Sequence, residues 1–246
     1  VLLIGDSITA GQVSQPLGPP FWQLLADDLG SGYEVTNVAC GGTTARDWSV
    51  TWGNGLCGGQ GYIGSRLLLD RAVPELPARV VTVMLGTNDS VGFFEPDNTP
   101  TQPDDYAAAL EEIVATLLAE GALRVMLMTP PPMFHNADAL DRLAAYREEV
   151  LALCGDEPRL VCGPDVFTLL QAADFQAGNV HPNRYGHEKI SNALYEAITT
   201  LPLPEPGTGA LFALGLVVIA VGRREHRVPG GRSLRCPGSR APSPRG

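Results

Sequence analysis

The chain has 246 residues, 44% of them hydrophobic and 18% charged. That balance suits one globular domain of about 200 residues with an extra segment and excludes a disordered or collagen-like chain. Its formal charge of −10 conceals an asymmetry, because seven of the seventeen basic residues follow Val221 and only Glu225 opposes them there; residues 1–221 keep 10 basic and 26 acidic side chains, a charge of −16. A body this acidic repels phosphate backbones and anionic headgroups, so no nucleic-acid partner is expected.

The first residue is Val1, not Met, and it already belongs to an apolar run. An N-terminus further upstream is therefore expected, and any signal peptide with it. Residues 1–4 read as a buried strand. Residues 20–29 form a helix with Phe21, Leu24, Leu25 and Leu29 on one face, and 34–39 a second strand. The Gly-rich stretch 41–64 is long for a connection and holds Trp48 and Trp52, which suggests a functional or disulfide-pinned loop. Residues 65–76 have helical period and 79–85 are a third strand. The clearest helix spans 104–120, its carboxylates at the start favouring the positive end of the helix dipole. A fourth strand, 124–128, stops at Pro130-Pro131-Pro132; then come a helix over 137–153, a short strand at 159–161 and a closing helix over 185–201. Strands alternating with helices imply an α/β fold, a parallel sheet covered on both faces that binds ligands at the carboxyl ends of its strands.

Five cysteines are too few for a disulfide scaffold and show no metal-ligand spacing. Cys40 with Cys57, and Cys154 with Cys162, stand at separations that small loops can close. Free thiols are the alternative for both pairs, and Cys236 has no evident mate.

The chemistry collects at strand ends. Gly5-Asp6-Ser7-Ile8-Thr9 follows the first strand, so Ser7 projects from a tight turn that substrate and base can both reach. After the second strand comes Asn37-Val38-Ala39-Cys40-Gly41-Gly42-Thr43-Thr44, whose glycines leave backbone N–H groups open to an anion. Gly86-Thr87-Asn88-Asp89 follows the third strand with an amide able to donate to a developing oxyanion. His181-Pro182-Asn183 precedes the last helix and offers an imidazole as general base. Taken singly, each is equally a turn sequence. Four in this order, at four consecutive landmarks, carry far more weight.

In these blocks, over roughly residues 1–200, the chain resembles the SGNH (GDSL) hydrolases, a family of esterases and lipases. The resemblance implies a flavodoxin-like three-layer α/β/α sandwich with a mainly parallel five-stranded sheet. It also implies Ser7 as nucleophile, His181 as base, and an oxyanion hole from the N–H groups of Ser7 and Gly42 with the Asn88 amide. No cofactor is required, and no cluster suggests a metal. Asp6 and Asp89 read as turn-structuring residues; His135, His187 and His226 are lesser candidates. In this family the acidic triad member usually stands three residues before the histidine, where this chain has Gly178. A main-chain carbonyl, Asn179 or Asp174 is then left to orient the imidazole. The reading adopted is a Ser-His dyad with a neutral acceptor, and Asp174 is the alternative third member. Losing the orienting Asp of a Ser-His-Asp protease costs about 10⁴ in turnover, mostly through the wrong tautomer.

Loops between the blocks set the substrate. Trp48, Trp52 and Tyr62 among glycines resemble a sugar-stacking surface, with aromatics capping a core as the other reading; a carbohydrate or small-acyl ester is favoured over a long lipid. The expected function is a secreted serine esterase. The alternatives are a lysophospholipase or thioesterase on the same site, or a glycan-binding module with degraded catalysis.

After the domain 1–201, residues 202–209 are a Pro-rich linker with Pro204-Glu205-Pro206, 210–222 are mostly apolar, and 223–246 form a basic, disordered tail. The apolar run falls short of the roughly 20 residues of a full span, and the arginines after it tilt the reading towards membrane with the basic end cytoplasmic. Over 204–227 the pattern resembles the PEP-CTERM sorting signal of Gram-negative bacteria. That resemblance implies export, transient inner-membrane anchoring through 210–222, processing by an exosortase-type enzyme, and a final place at or beyond the cell surface.

Overall fold

In the computed structural model, which describes residues 1–51, 57, 67–92, 99–155 and 157–202, the apolar runs pair into one sheet. Its strands are β1 (Leu2–Gly5), β2 (Thr36–Asn37), β3 (Val81–Met84), β4 (Val125–Leu127) and β5 (Leu160–Cys162), in the order β2-β1-β3-β4-β5. All four pairings are parallel. This is the flavodoxin-like order, and its reversal point lies between β1 and β3.

The helices are α1 (Ser7–Ala10), α2 (Phe21–Leu29), α3 (Ala45–Trp48), α4 (Pro103–Ala119), α5 (Ala137–Leu153), α6 (Val166–Leu169) and α7 (Arg184–Thr200). Right-handed crossovers run one way from β1 to β2 and the other way from β3 to β4 and β5, so α2 lies across the sheet from α4 and α5. α2 packs on α7, and α4 on α5. Alternate strand residues divide accordingly. Leu2, Ile4, Val81, Val83, Val125 and Leu127 join the core under Tyr106, Leu110, Ile113, Leu143 and Tyr146, while buried Leu3 and Met126 face the α2–α7 side.

Several elements differ from the sequence expectation. β2 pairs over only two residues, because it is an edge strand; past it, the Val38 and Cys40 N–H groups still bond the Leu3 and Gly5 carbonyls, at 3.0 and 2.9 Å. The helix expected at 65–76 is, where described, a π turn (Leu68–Ala72) running into a 3₁₀ turn (Val73–Glu75). Pro74 has no N–H with which to continue a regular helix. One-turn helices α1 and α3 occupy stretches expected to be turn and loop. Trp52, Tyr62 and the segment from 203 to 246, with the expected linker, apolar run and basic tail, lie outside the described residues.

Of the two alternatives left open for each cysteine pair, the structure has the bridge: Cys40–Cys57 and Cys154–Cys162 are disulfides, each with Cα atoms 5.3 Å apart. The first ties the chain just after β2; the second ties the end of α5 to β5.

Candidate active site

β1 ends on Gly5, where any Cβ would stand 2.6 Å from Thr9 Cβ and 2.8 Å from the Met84 carbonyl oxygen. Only glycine lets the strand turn here, and the next residue opens a helix at once. Asp6 is its N-cap, with Oδ1 accepting from the Ile8 N–H at 2.9 Å. That cap fixes Ser7 in the first turn, buried, with Oγ 2.9 Å from His181 Nε2.

His181 comes from the loop before α7, and that loop is held through its backbone. Phe175 and Pro182 form an antiparallel bridge, and Ser14 and Asn183 a parallel one. The Ser14 N–H donates to the Pro182 carbonyl at 3.0 Å and the Asn183 N–H to the Asp174 carbonyl at 2.7 Å. Asn183 then caps α7, its Oδ1 accepting from Tyr185 and Gly186 N–H groups. Burial holds the His181 imidazole below its ordinary pKa, so it is neutral at pH 7 and can accept the Ser7 proton. Among the described residues its Nδ1 meets no hydrogen-bond partner.

Asp174 does not serve His181. Its Oδ2 accepts from the Gln171 N–H at 2.8 Å and from Lys189 Nζ at 2.7 Å, which turns the carboxylate towards α7, the helix carrying Lys189. The alternative third member is thereby corrected to a strut of the loop. Asn179 Oδ1 accepts the His181 backbone N–H at 2.9 Å and, among the described residues, bonds neither ring nitrogen. At Gly178, with φ 74°, no heavy atom of the described residues lies within 4 Å of where a Cβ would stand.

Across the sheet edge, Gly42 takes a left-handed φ of 82°, which turns the chain towards Thr43. The Asn88 amide donates one proton to the Thr43 carbonyl at 2.9 Å. Among the described residues the backbone N–H groups of Ser7 and Gly42 donate to no protein acceptor. With the second Asn88 proton, three donors are open on this edge.

The loop that supplies them is braced from behind. Thr43 Oγ1 donates to the Cys40 carbonyl at 2.8 Å and accepts from Trp48 Nε1 at 2.9 Å. Trp48 is fully buried, so it is core and not a sugar-stacking face. Both Asp89 oxygens lie 3.1 Å from the Ala45 nitrogen, accepting its N–H. Burial pushes Asp6 up to about 6 and Asp89 up to about 7, so both act as turn-builders held in the core.

His187 is the element sequence reasoning undervalued. Buried and stacked on Phe21 with ring centroids 5.9 Å apart, it accepts from the Phe21 N–H through Nδ1 at 3.1 Å and so donates from Nε2 to the Gln12 carbonyl, also at 3.1 Å. Burial pulls its pKa down to about 4, and it pins α7 to the chain just past Ser7. Its place in the buried face of the last helix was the available signal.

A hydroxyl bonded to a neutral imidazole, beside open N–H donors at the switch point of a doubly wound sheet, is the equipment of a serine hydrolase. The chain belongs to the GDSL-like lipase/acylhydrolase family, which matches residues 3–189, and it is a hydrolase acting on ester bonds. Residues 202–227 match the PEP-CTERM protein-sorting motif, a signal for export and sorting to the cell surface in Gram-negative bacteria. No curated protein matches the chain in sequence.

Solved structures of similar fold include a native aryl esterase of M. smegmatis (TM-score 0.61, 20% identity, covering 81% of this chain and 98% of that one). Another is an acetylxylan esterase of Geobacillus stearothermophilus (0.57, 21%, 83% and 95%). A third is a carbohydrate acetylesterase of Sinorhizobium meliloti (0.55, 17%, 80% and 97%). Among the described residues no group of His, Cys, Asp or Glu gathers to hold a metal, and no helix is long and apolar enough to cross a membrane.

Proposed function

We propose that the protein is an exported serine esterase that removes small acyl groups, with O-acylated carbohydrates as the substrate class, through a Ser7–His181 dyad. The observation that carries this reading is the 2.9 Å contact between Ser7 Oγ and His181 Nε2. His181 takes the Ser7 proton as Oγ attacks the ester carbonyl. The Ser7 and Gly42 N–H groups and the Asn88 amide hold the oxyanion. The bond to the alcohol breaks, His181 protonates the departing oxygen, and water then releases the acyl group by the same route in reverse.

The sugar-ester preference is supported by the fold likeness to an acetylxylan esterase and a carbohydrate acetylesterase. The sorting motif supports transient anchoring in the inner membrane through residues 210–222 before exosortase processing near Pro204-Glu205-Pro206.

The test is hydrolysis of p-nitrophenyl acetate, butyrate and octanoate by the full chain and its Ser7→Ala variant, with a fluorophosphonate label located by mass spectrometry. Turnover that falls with chain length, vanishes in the variant and accompanies label on Ser7 is expected. Folded protein with neither turnover nor label overturns the reading.

A further inference from the structure

Gly11 ends α1 in a left-handed turn, at φ 109°, and the chain arrives at Gln12 with its backbone fixed on both sides. The Gln12 N–H donates to the Ser7 carbonyl at 2.9 Å, and the Gln12 carbonyl accepts from His187 Nε2 at 3.1 Å. The root of this side chain is thus bonded to the residue bearing the hydroxyl and to a buried imidazole.

The side chain runs back over Gly41. A Cβ on Gly41 would stand 3.6 Å from Gln12 Nε2 and 3.7 Å from Ser7 Cβ. Those are ordinary van der Waals contacts, so one carbon atom there touches both the carboxamide and the serine. Because residue 41 is glycine, it puts no side chain of its own into that space. Gln12 is exposed, and among the described residues its carboxamide has no hydrogen-bond partner. A carboxamide offers two donors and one acceptor and carries no charge, which suits a neutral hydroxyl.

Resting on the esterase reading above, we propose that Gln12 is a substrate-binding residue whose carboxamide hydrogen-bonds a hydroxyl next to the scissile ester. The site thereby selects partly acylated polyols and sugars over esters of plain alcohols. Any group bonded to the carbonyl carbon under attack passes close to Ser7, and among the described residues the Gln12 carboxamide is what it meets on the Gly41 side.

The test compares two acetates with the same three-carbon alcohol skeleton, glycerol monoacetate and propyl acetate, in the full chain and its Gln12→Leu variant. Losing one exposed hydrogen bond lowers kcat/KM about three- to ten-fold. That loss is expected for glycerol monoacetate, chiefly in KM, while propyl acetate stays within about two-fold. The ratio of the two substrates in one sample does not depend on how much of the variant folds, and Gln12→Ser supplies a second variant. An unchanged ratio in both variants overturns the proposal. If the parent protein hydrolyses neither acetate and takes no fluorophosphonate label, the esterase reading itself has failed, and this one falls with it.

Discussion

Asp174→Ala separates a strut from a catalytic acid. The Asp174 side chain is 6% exposed and Lys189 is 41% exposed. Removing the carboxylate orphans the Gln171 N–H, a charge-assisted bond worth about 1.5–3 kcal/mol. The partly exposed ion pair with Lys189 adds under about 1 kcal/mol, because the ammonium can turn to water. At about 2–4 °C per kcal/mol for a domain of this size, the melting midpoint should drop by about 3–16 °C. Activity should behave differently. The Asp174 carbonyl still accepts the Asn183 N–H at 2.7 Å, so the His181 loop keeps its main anchor, and kcat/KM for p-nitrophenyl acetate should fall less than about ten-fold at a temperature where the variant is folded. A carboxylate that oriented the imidazole would cost about 10⁴. A loss of a thousand-fold or more in folded variant, without the stability loss, would refute the assignment.

Burial lowers the His181 pKa, so the base form persists below pH 6.5 and the acid limb of kcat/KM should lie under that value; a limb centred above 7 contradicts the geometry. Asp6 and Asp89 have folded-state values raised from 3.8 to about 6 and about 7. The unfolded chain gives up those protons first, so their contribution is complete below about pH 4 and is lost as pH rises through 6 and 7, by a few kcal/mol in all. In thermal melts from pH 4.5 to 8, Asp89→Asn should flatten that decline, and a decline as steep as the parent's counts against it. Trp48→Phe gives up the bond to Thr43 and leaves a small void, costing about 2–3 kcal/mol; kcat should fall several-fold because Thr43 holds Asn88, while KM for a sugar acetate stays put. Replacing Cys40 and Cys57 by serine opens a loop of sequence separation 17 and should cost about 3 kcal/mol, read as a lower chemical-denaturation midpoint.

The sequence was most legible where the pattern is long and local. α5 falls on the expected residues, and α4 is displaced by one, because Pro103 and two following aspartates mark its start and apolar spacing carries it onward. Short elements were not legible. α1 and α3 have four residues each, too few to show a period, although the Thr44-Ala45-Arg46-Asp47 capping box was a signal for α3. The extent of β2 depends on its neighbour's hydrogen bonds, which no local pattern records. In the site, Ser7, Asn88 and His181 stood out because each sits in a turn directly after a strand or before a helix. The partner of Asp174 did not, since Lys189 reaches back from α7 across fifteen positions. Trp48 read as a loop aromatic because its helix was invisible.

Lys189 is the only lysine in the chain, and its ε-amine is held by Asp174. The surface otherwise presents guanidinium groups, which amine-directed reagents ignore. Amine-selective crosslinking or reductive amination would therefore act, among side chains, at one address on the helix that follows the His181 loop. An amine-selective label becomes a site-selective reporter of that loop's packing, and covalent immobilisation is better made through another functional group.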